Sequence, residues 1–580
     1  MKPTSRVVDI TDSVTIQRRI AAAQGKTECD GLIENIRYLD VFSSQWRMGS
    51  IGFIDGVIVG TESGLKAKRK WNGRGRALVP GFIDSHVHIE SSLMAPLTFD
   101  REVLRKGTTT AICDPHEIAN VQGVSGIEIF LDAAEVAKSD LWIQLSSCVP
   151  ATHMETNGGG SITASDLLKL RGRSRALGLA EMMNFPGVLN ASPDVIEKLV
   201  AFGDTLIDGH CPGLSGNALS AYIAAGISSC HESTSAPEAT EKIAKGMSVW
   251  IREGSVAKDC DALVSILNLA TGVSVGFCTD DRNPLDIHEQ GHVDYLLRKA
   301  IAAGVSPEVV FRSASLTPAR HYGLKRVGAI APGYQADLVM LDDVRSVEVG
   351  DVFKRGQLVS EFDSDTQSTD ALRKTVKNSV QAVAPADGDL QWPTGAVKVI
   401  GVRPGQIVTD HFTSHSLNQP TRAANDLGVH YLSVLARYGT GAKPALGFVQ
   451  GFGERFRGAI GSSVGHDSHN LIVAAFAKKS MQVAFSALID LQGGFVVVDE
   501  SGKLIAKLSL PFGGLMTFET PEQISTALKS LRAASRSVGC ELAEPFLQLA
   551  FLSLPVIPSL KLTDRGLVDV NRFEIVSLTE

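Results

Sequence analysis

The stretch GFIDSHVHIESS, residues 81–92, lies where the predicted secondary structure of the chain changes from strands and turns to alternating strands and helices. Before it, residues 31–80 alternate short apolar runs with turn signals such as Asp55-Gly56, a pattern typical of β hairpins. After it, to about Ala331, apolar strands alternate with helical segments such as SGIEIFLDAAEVAK (125–138). This alternation predicts a parallel sheet with helices, and its length of about 250 residues suits a TIM-like (β/α)8 barrel.

Beyond the barrel, VGAIAPGYQADLVMLDD (327–343) returns to turn-separated strands that we expect to rejoin the first β unit. Residues 361–393 are polar and rich in Asp, Ser, Thr and Pro, which is typical of a connector. A further α+β domain is predicted after it, with a hairpin at GFVVVDESGKLIAKLSL and an amphipathic helix at PEQISTALKSLRAAS. Four parts are predicted. Residues 1–80 are an N-terminal segment with the first part of a small β-sandwich, and residues 81–331 are the barrel. Residues 332–393 are the second part of the sandwich with the connector, and residues 394–580 are the C-terminal α+β domain.

The composition excludes several classes of protein. The 580 residues contain 56 Lys plus Arg against 63 Asp plus Glu, a net charge of −7, without the basic excess of nucleic-acid-binding proteins. No apolar run is long enough for a membrane span, and the N-terminus lacks the apolar core of a secretory signal. The eight scattered cysteines form neither a disulfide framework nor a CxxC pair and are predicted to be reduced, mostly buried thiols. We expect a cytoplasmic protein.

His86 and His88 close an apolar segment. On a strand, residues two apart face the same side, so both imidazoles can reach one metal at the end of a barrel strand. With 14 histidines in 580 residues, about 0.3 such pairs are expected by chance, so further ligands are needed to support a metal site.

Further ligand-type residues close short apolar runs along the barrel. They are Glu181 after ALGLA, His210 after TLIDG, His231 after AGISSC and Asp280 after SVGFCT. If His88 ends strand 1 and Asp280 ends strand 8, each βα unit takes about 27 residues, a normal length. Because the carboxyl ends of parallel strands meet at one mouth, all six residues are predicted to converge there.

The motif DPHEIANV (114–121) follows the apolar TTTAIC, the predicted end of strand 2. Its position at the same mouth favours substrate contact, and Asp114 and Glu117 are the predicted substrate-binding residues.

Two other motifs are predicted to be incidental. HEQGH (288–292) matches the zinc-protease pattern, but Gly291 lies inside the helical turn that the pattern requires. GSSVG (461–465) matches a nucleophile elbow around Ser463, but the last histidine of the chain, His469, comes only six residues later, so the triad order of that fold cannot be built.

GHDSHN (465–470) leaves two interpretations open. His466 and His469 form either a metal or substrate site, or they stabilise the start of a helix.

Several motifs together resemble a known family. PGFIDSHVH with the later strand-end residues is similar to the amidohydrolase superfamily, as is SLTPARHYGLKRVGAIAPGYQADLVMLD (315–342). FIDSHVHIESS, CDPHEIANV, EMMNFPGV, IDGHCPGLSG, ISSCHEST, CTDDR and VGHDSHN resemble the bacterial type of adenine deaminase. These motifs cover about residues 78–345 and recur near 466.

The resemblance implies a binuclear centre of divalent metals, Mn²⁺ or Fe²⁺ with Zn²⁺ as a further option. Its ligands would be His86, His88, Glu181, His210, His231 and Asp280. Glu181 stands where many relatives have a carboxylated lysine. The implied reaction is the hydrolysis of adenine to hypoxanthine and ammonia, a step of purine salvage. Adenine and water are the expected partners, and a homodimer is a further possibility.

The residue chemistry fits this reaction. Two cations lower the pKa of a bound water to about 7. Glu181 and Asp280 are the predicted catalytic residues. Asp280 would move the proton to the departing amine. Two alternatives stay open: a cyclic-amide hydrolase of the hydantoinase or dihydroorotase kind, which usually carries the strand 4 lysine, and a non-catalytic barrel scaffold.

Overall fold

A computed structural model describes residues 12–362, 366–377, 379–417 and 428–579. Residues 1–11 of the predicted N-terminal segment, 363–365 and 378 of the connector, and 418–427 and 580 of the C-terminal domain lie outside the described residues. In the described ranges, none of the helices has the length and apolar character needed to cross a membrane. All eight cysteines are free and buried, which confirms the interpretation of buried thiols.

The N-terminal part is a helix followed by strands. Asp55-Gly56 joins two paired antiparallel strands, and both residues have positive φ, 51° and 71°, as a two-residue hairpin requires. The predicted hairpin is therefore confirmed. The elements are α1 (Ser13–Ala23), β1 (Cys29–Asp40), β2 (Gln45–Ile54), β3 (Val57–Gly60), β4 (Ala67–Asn72) and β5 (Ala77–Pro80).

Eight parallel strands follow, in chain order, in two hydrogen-bonded sheets of five and three strands. They are β6 (Phe82–Val87), β7 (Thr108–Cys113), β8 (Asp140–Leu145), β9 (Ala176–Met182), β10 (Leu206–Gly209), β11 (Ser229–Cys230), β12 (Ser248–Arg252) and β13 (Val275–Cys278). Ser228 N donates to Ile207 O at 3.0 Å, and Asp280 N donates to His86 O at 3.0 Å. These bonds link the two sheets on both sides.

Helices occupy the connections between these strands, as the sequence predicts. β6 to β9 are buried over their whole length, as expected for parallel strands that are covered on both faces. The helices are α2 (Pro96–Arg105), α3 (His116–Gln122), α4 (Val124–Val136), α5 (Ala164–Leu170), α6 (Phe185–Leu189), α7 (Pro193–Ala201), α8 (Gly216–Ala224), α9 (Ala236–Ala244), α10 (Cys260–Leu263), α11 (Pro284–Glu289), α12 (Val293–Ala302), α13 (Pro307–Ser313) and α14 (Leu316–His321).

The chain then rejoins the first β unit, as expected. β14 (Leu338–Asp343) pairs antiparallel with β5, and β15 (Glu348–Lys354) and β16 (Gln357–Leu358) extend this sheet to eight strands. The polar connector contains a helix, α15 (Thr366–Thr375), that its composition did not indicate. Its Leu372 is buried in the main apolar core. One anchoring side chain among polar neighbours is too weak a pattern to be recognised in sequence.

The C-terminal part is a mixed eight-stranded sheet with helices and a small three-stranded sheet. The hairpin expected there is confirmed as the antiparallel strands Gly494–Val498 and Leu504–Ser509. The expected helix is confirmed as Pro521–Ser537, which starts with a capping box between Thr520 and Gln523. The elements are β17 (Gly395–Val402), β18 (Thr409–Leu417), β19 (Val429–Leu435), β20 (Ala445–Gln450), β21 (Ala459–Ser462), β22 (Leu471–Ala475), α16 (Lys478–Asp490), β23 (Gly494–Val498), β24 (Leu504–Ser509), α17 (Pro521–Ser537), α18 (Pro545–Ala550), β25 (Leu560–Thr563), β26 (Gly566–Asp569) and β27 (Glu574–Val576).

Candidate metal centre and active-site cavity

Six ligand-type side chains converge at the carboxyl ends of the parallel strands. His86 is the next-to-last residue of β6, His88 follows the end of that strand, and Glu181 is in β9. The remaining three follow the ends of β10, β11 and β13: His210, His231 and Asp280. The structure thus brings together the six residues that the strand spacing singles out.

His86 and His88 face each other and share two carboxylates. Their Nε2 atoms are 3.1 Å apart. Asp280 Oδ1 lies 3.6 Å from His86 Nε2 and 3.2 Å from His88 Nε2. Glu181 Oε1 lies 3.8 and 3.4 Å from the same two nitrogens. Four ligand atoms therefore surround one point.

The other oxygen of Glu181 serves a second pair of histidines. His210 Nδ1 is 2.7 Å and His231 Nε2 is 3.3 Å from Glu181 Oε2. The His231 ring also stacks on His86, with centroids 3.9 Å apart. Because its two oxygens reach different histidine pairs, Glu181 has the geometry of a bridging carboxylate.

The protonation of the cluster fits metal ions. His88 Nδ1 is 2.9 Å from the Asp114 carbonyl oxygen, to which it can only donate, so the lone pair of His88 is on Nε2, inside the cluster. Burial lowers the pKa of His86 to about 3, so this imidazole is neutral. Burial alone would raise the pKa of Glu181, but His210 and His231 outweigh it and hold that pKa well below its usual range. The carboxylates of the cluster outweigh burial and raise the pKa of His88, His210 and His231, to about 9 for His231. Imidazoles that share ionised carboxylates are a donor set for divalent cations, whose binding releases the protons.

Behind the cluster lies an arginine that the sequence analysis did not predict. Arg252 ends β12, and its Nη1 donates to Asp280 Oδ2 at 3.1 Å. The same nitrogen pairs with Glu232, the residue after His231. Strand 7, like strand 3, is a position at which the sequence analysis found no ligand type. The strand-end rule applied there would have drawn attention to the WIRE run. Arg252 fixes one carboxylate oxygen of Asp280 while the other faces the histidines.

The two predicted substrate residues take different positions. Glu117 lines the cavity at the start of α3, next to His116. Asp114 is not among the lining residues: its carboxylate accepts from Ser146 Oγ at 3.0 Å and lies 3.4 Å from His116 Nδ1. Its carbonyl holds His88, so Asp114 supports the histidines and does not face the cavity. The buried His116, which was not among the predicted substrate residues, does face it.

The cavity has a volume of about 390 Å³. The barrel side contributes five of the six cluster residues, all but His86, together with Glu117 and Asp281, and its apolar lining includes Met183 and Phe185. The side supplied by the C-terminal part is apolar except for His466 and Asp467, and its lining includes Phe551, Leu554, Val556, Ile557, Pro558 and Val570. A flat, weakly polar molecule would be enclosed between the two sides.

HEQGH does not form a protease site. α11 ends at Glu289, and Gly291 breaks the helix with φ 120°. His288 is exposed, whereas His292 is buried behind the cluster, 3.0 Å from Thr108 Oγ1 and 3.3 Å from Thr279 Oγ1. The two histidines therefore cannot share a metal.

GSSVG is structural. Ser463 is buried, its Oγ accepts from Gly494 N at 2.7 Å, and it donates to Gly514 O at 2.6 Å. With both roles occupied, the hydroxyl joins β21 to its neighbours and has no geometry for nucleophilic attack.

Comparison with known proteins identifies two family domains, and full-length relatives cover 97% of the chain. Residues 77–359 match the amidohydrolase family, and residues 406–574 match the adenine deaminase C-terminal domain. An adenine deaminase of Methylobacterium nodulans is 49% identical, over 97% of this chain and 99% of its own length. One of Gluconobacter oxydans is 46% identical, over 97% of this chain and 100% of its own length.

Among solved structures, an adenosine deaminase of Xanthomonas campestris with bound zinc is 15% identical, with a TM-score of 0.43 over 60% of this chain and 98% of that one. The fold at residues 77–359 is that of the amidohydrolases, whose members use divalent metals. The chain belongs to the adenine deaminase family of the amidohydrolases.

Proposed function

We propose that this protein is an adenine deaminase that hydrolyses adenine to hypoxanthine and ammonia at the His86–Asp280 cluster. The observation that carries the proposal is Glu181, whose two oxygens reach two separate histidine pairs. The adenine deaminases that match almost the whole chain support the substrate. A strand 4 carboxylate also disfavours the hydantoinase and dihydroorotase alternative, because β9 contains no lysine.

We propose His86, His88, Glu181, His210, His231 and Asp280 as the ligands of two divalent cations. When bound, the cations lower the pKa of a water to about 7 and act as Lewis acids. Mn²⁺ or Fe²⁺ is the proposed occupant, with Zn²⁺ next, because imidazole suits iron and zinc while carboxylates also suit manganese.

Asp280 is the proposed proton carrier. Arg252 holds Oδ2, so Oδ1 is the oxygen that faces the reacting water. Asp280 would accept one proton from water and pass it to the amino group, because ammonia leaves far more easily than an amide anion. The oxygen stays on the ring carbon, the carbon–nitrogen bond breaks, and one adenine and one water become one hypoxanthine and one ammonia.

Glu117 is the proposed donor to the purine ring. Burial, together with the nearby carboxylates of Glu90 and Asp281, raises the pKa of Glu117 well above its usual range. A protonated carboxyl can donate a hydrogen bond to a ring nitrogen and so increase the electrophilicity of the amino-bearing carbon. Asp114, which supports His88 and His116, is assigned a positioning role.

We further propose that the eight parallel strands form one closed (β/α)8 barrel, residues 81–331. Residues 1–80 and 332–393 would be the β-sandwich with its connector, and 394–580 the C-terminal domain. The free, buried cysteines support a reducing compartment, the cytoplasm. Purine salvage is the proposed metabolic role, and a homodimer stays a prediction.

Ammonia release tests the proposal directly. Protein reconstituted with Mn²⁺ is assayed with adenine, other aminopurines, hydantoin and dihydroorotate. Adenine should be the best substrate, with one ammonia released per hypoxanthine formed. Ring opening of a cyclic amide with no turnover of adenine would instead support the alternative, and inactivity of metal-loaded protein on the whole panel would support the scaffold.

A further inference from the structure

His466 is, with Asp467, one of two polar residues on the mainly apolar wall that the C-terminal part supplies. It lies in the loop between β21 and β22, far along the chain from the barrel, and only 5% of it is exposed. It nevertheless lines the same cavity as His88, Glu181, His210, His231 and Asp280, five of the six cluster residues. The neighbouring wall residues include Phe551, Leu554 and Ile557, which provide no hydrogen bonds from their side chains.

The backbone and ring of His466 are held in place. Its N–H donates to Ala550 O at 3.0 Å, and its carbonyl accepts from Ser553 Oγ at 3.1 Å. The ring stacks on Phe551 with centroids 4.7 Å apart and planes 14° apart. The direction of the imidazole is therefore fixed before any substrate enters.

Among the described residues, neither imidazole nitrogen of His466 has a hydrogen-bond partner. Within the described part of the chain, the nearest carboxylate atoms are Glu117 Oε1, 3.6 Å from Nδ1, and Asp467 Oδ1 at 4.0 Å. Both distances are too long for a hydrogen bond. Burial lowers the pKa of His466 to about 4, so the ring is neutral and carries one donor and one acceptor. A buried polar group costs free energy unless something satisfies it.

A third metal ion is the competing explanation, because Glu117, His466 and His469 have ligand types close together. The hydrogen bonds of His469 argue against it. His469 Nδ1 accepts from Gly465 N at 3.3 Å, which places the ring proton on Nε2. His469 Nε2 is buried and has no hydrogen-bond partner among the described residues, but a protonated nitrogen cannot bind a cation.

We infer that His466 of the C-terminal domain hydrogen-bonds a ring nitrogen of the purine, opposite the barrel residues that carry out the chemistry. The inference rests on the proposed function. It gives the C-terminal domain a part in substrate recognition: the domain closes the cavity with an apolar wall and provides one directional contact. Glu117 from the barrel and His466 from the C-terminal domain then approach the ring from neighbouring positions.

The test is His466→Ala in metal-reconstituted full-length protein. Loss of one substrate hydrogen bond should lower kcat/KM for adenine by about ten- to a hundredfold, mainly through KM. Metal content should equal that of the wild type. His430→Ala is the matched control, because His430 is equally buried in the C-terminal part but packs on Phe456 and is not a lining residue. Thermal melts of both variants, and a His466→Asn variant with partial rescue, separate the contact from folding.

Analogues in which one ring nitrogen is replaced by carbon identify the contact. Wild type should discriminate against the analogue that lacks the nitrogen bound by His466 and against the one that lacks the nitrogen bound by Glu117. His466→Ala should lose the first discrimination and keep the second. Unchanged kcat/KM in folded His466→Ala would overturn the inference and leave the deaminase proposal intact. Loss of a metal equivalent would overturn it in favour of the third ion. A wild type inactive on adenine would overturn both proposals.

Discussion

The two sides of the cavity differ in how their polar groups are arranged. On the barrel side, a ring nitrogen of each of four histidines lies 2.7–3.8 Å from a carboxylate oxygen of Glu181, and two of these histidines also face Asp280. On the C-terminal side, His466 lies beside aromatic and aliphatic residues, and the nearest carboxylate oxygens of the described residues, those of Glu117 and Asp467, are 3.6 and 4.0 Å from its Nδ1. Crowded ionisable groups are suited to binding cations and moving protons, whereas an isolated neutral group in an apolar wall is suited to recognising a ring. The difference implies chemistry on one side and enclosure on the other.

The largest effect is expected for His86→Ala on the barrel side. His86 faces His88, Glu181 and Asp280, and alanine offers no ligand atom. Metal and activity should be lost together, with ammonia release falling by about four orders of magnitude or more. Elemental analysis beside the ammonia assay measures both, and exposed His411→Ala is the control. Full metal content with full activity would remove His86 from the proposed ligands.

Asp280→Asn should separate the proton transfer from metal binding. The amide keeps an oxygen near the cluster but cannot accept a proton, so kcat should fall by about 10²–10⁴. Metal content should largely survive, in contrast to His86→Ala. Near-normal turnover by metal-replete Asp280→Asn would show that the proton travels by another route, with Glu181 or Glu117 the next candidate.

The apolar wall should show a smaller effect, limited to binding. Val556 lines the cavity and is 40% exposed, so Val556→Ala removes two methyl groups with little risk to folding. KM for adenine should rise about two- to fivefold at constant kcat, because roughly 1 kcal/mol of apolar contact is lost. Val383→Ala, 83% exposed and away from the cavity, is the control. A drop in kcat at constant KM would contradict the division of roles between the two sides.

Ser463→Ala should affect stability more than activity. The hydroxyl bonds with Gly494 and Gly514 inside the C-terminal part, and its loss should lower the free energy of unfolding by about 1–3 kcal/mol. Deaminase activity should stay within about tenfold. Chemical denaturation and the ammonia assay at a permissive temperature measure the two quantities. A loss of a thousandfold in folded protein would revive the nucleophile interpretation of GSSVG.

The smallest effect is expected for His288→Ala. His288 is exposed at the end of α11, and its partner in the HEQGH pattern is buried elsewhere. Activity should remain within about tenfold, and metal content should not change. A metal-loaded, folded His288→Ala protein that has lost three orders of magnitude would overturn the ranking of the two histidine motifs.

The sequence by itself determined the parallel strands and the six ligand-type residues that converge at the carboxyl ends of these strands. Each of these depends on local periodicity and on the regular length of βα units, which a single chain displays directly. It also identified HEQGH as incidental, because a glycine within one turn is a local signal.

Only the tertiary structure decided the remaining features. Three of them depend on contacts between segments that are distant in sequence. Arg252 donates a hydrogen bond to Asp280, the carbonyl of Asp114 holds His88, and His466 lines the cavity. His466 follows the barrel residue Asp280 by 186 positions. Its place is set by how the C-terminal sheet packs over the barrel, and no local pattern encodes that packing, because it is the sum of many side-chain contacts spread over both parts of the chain.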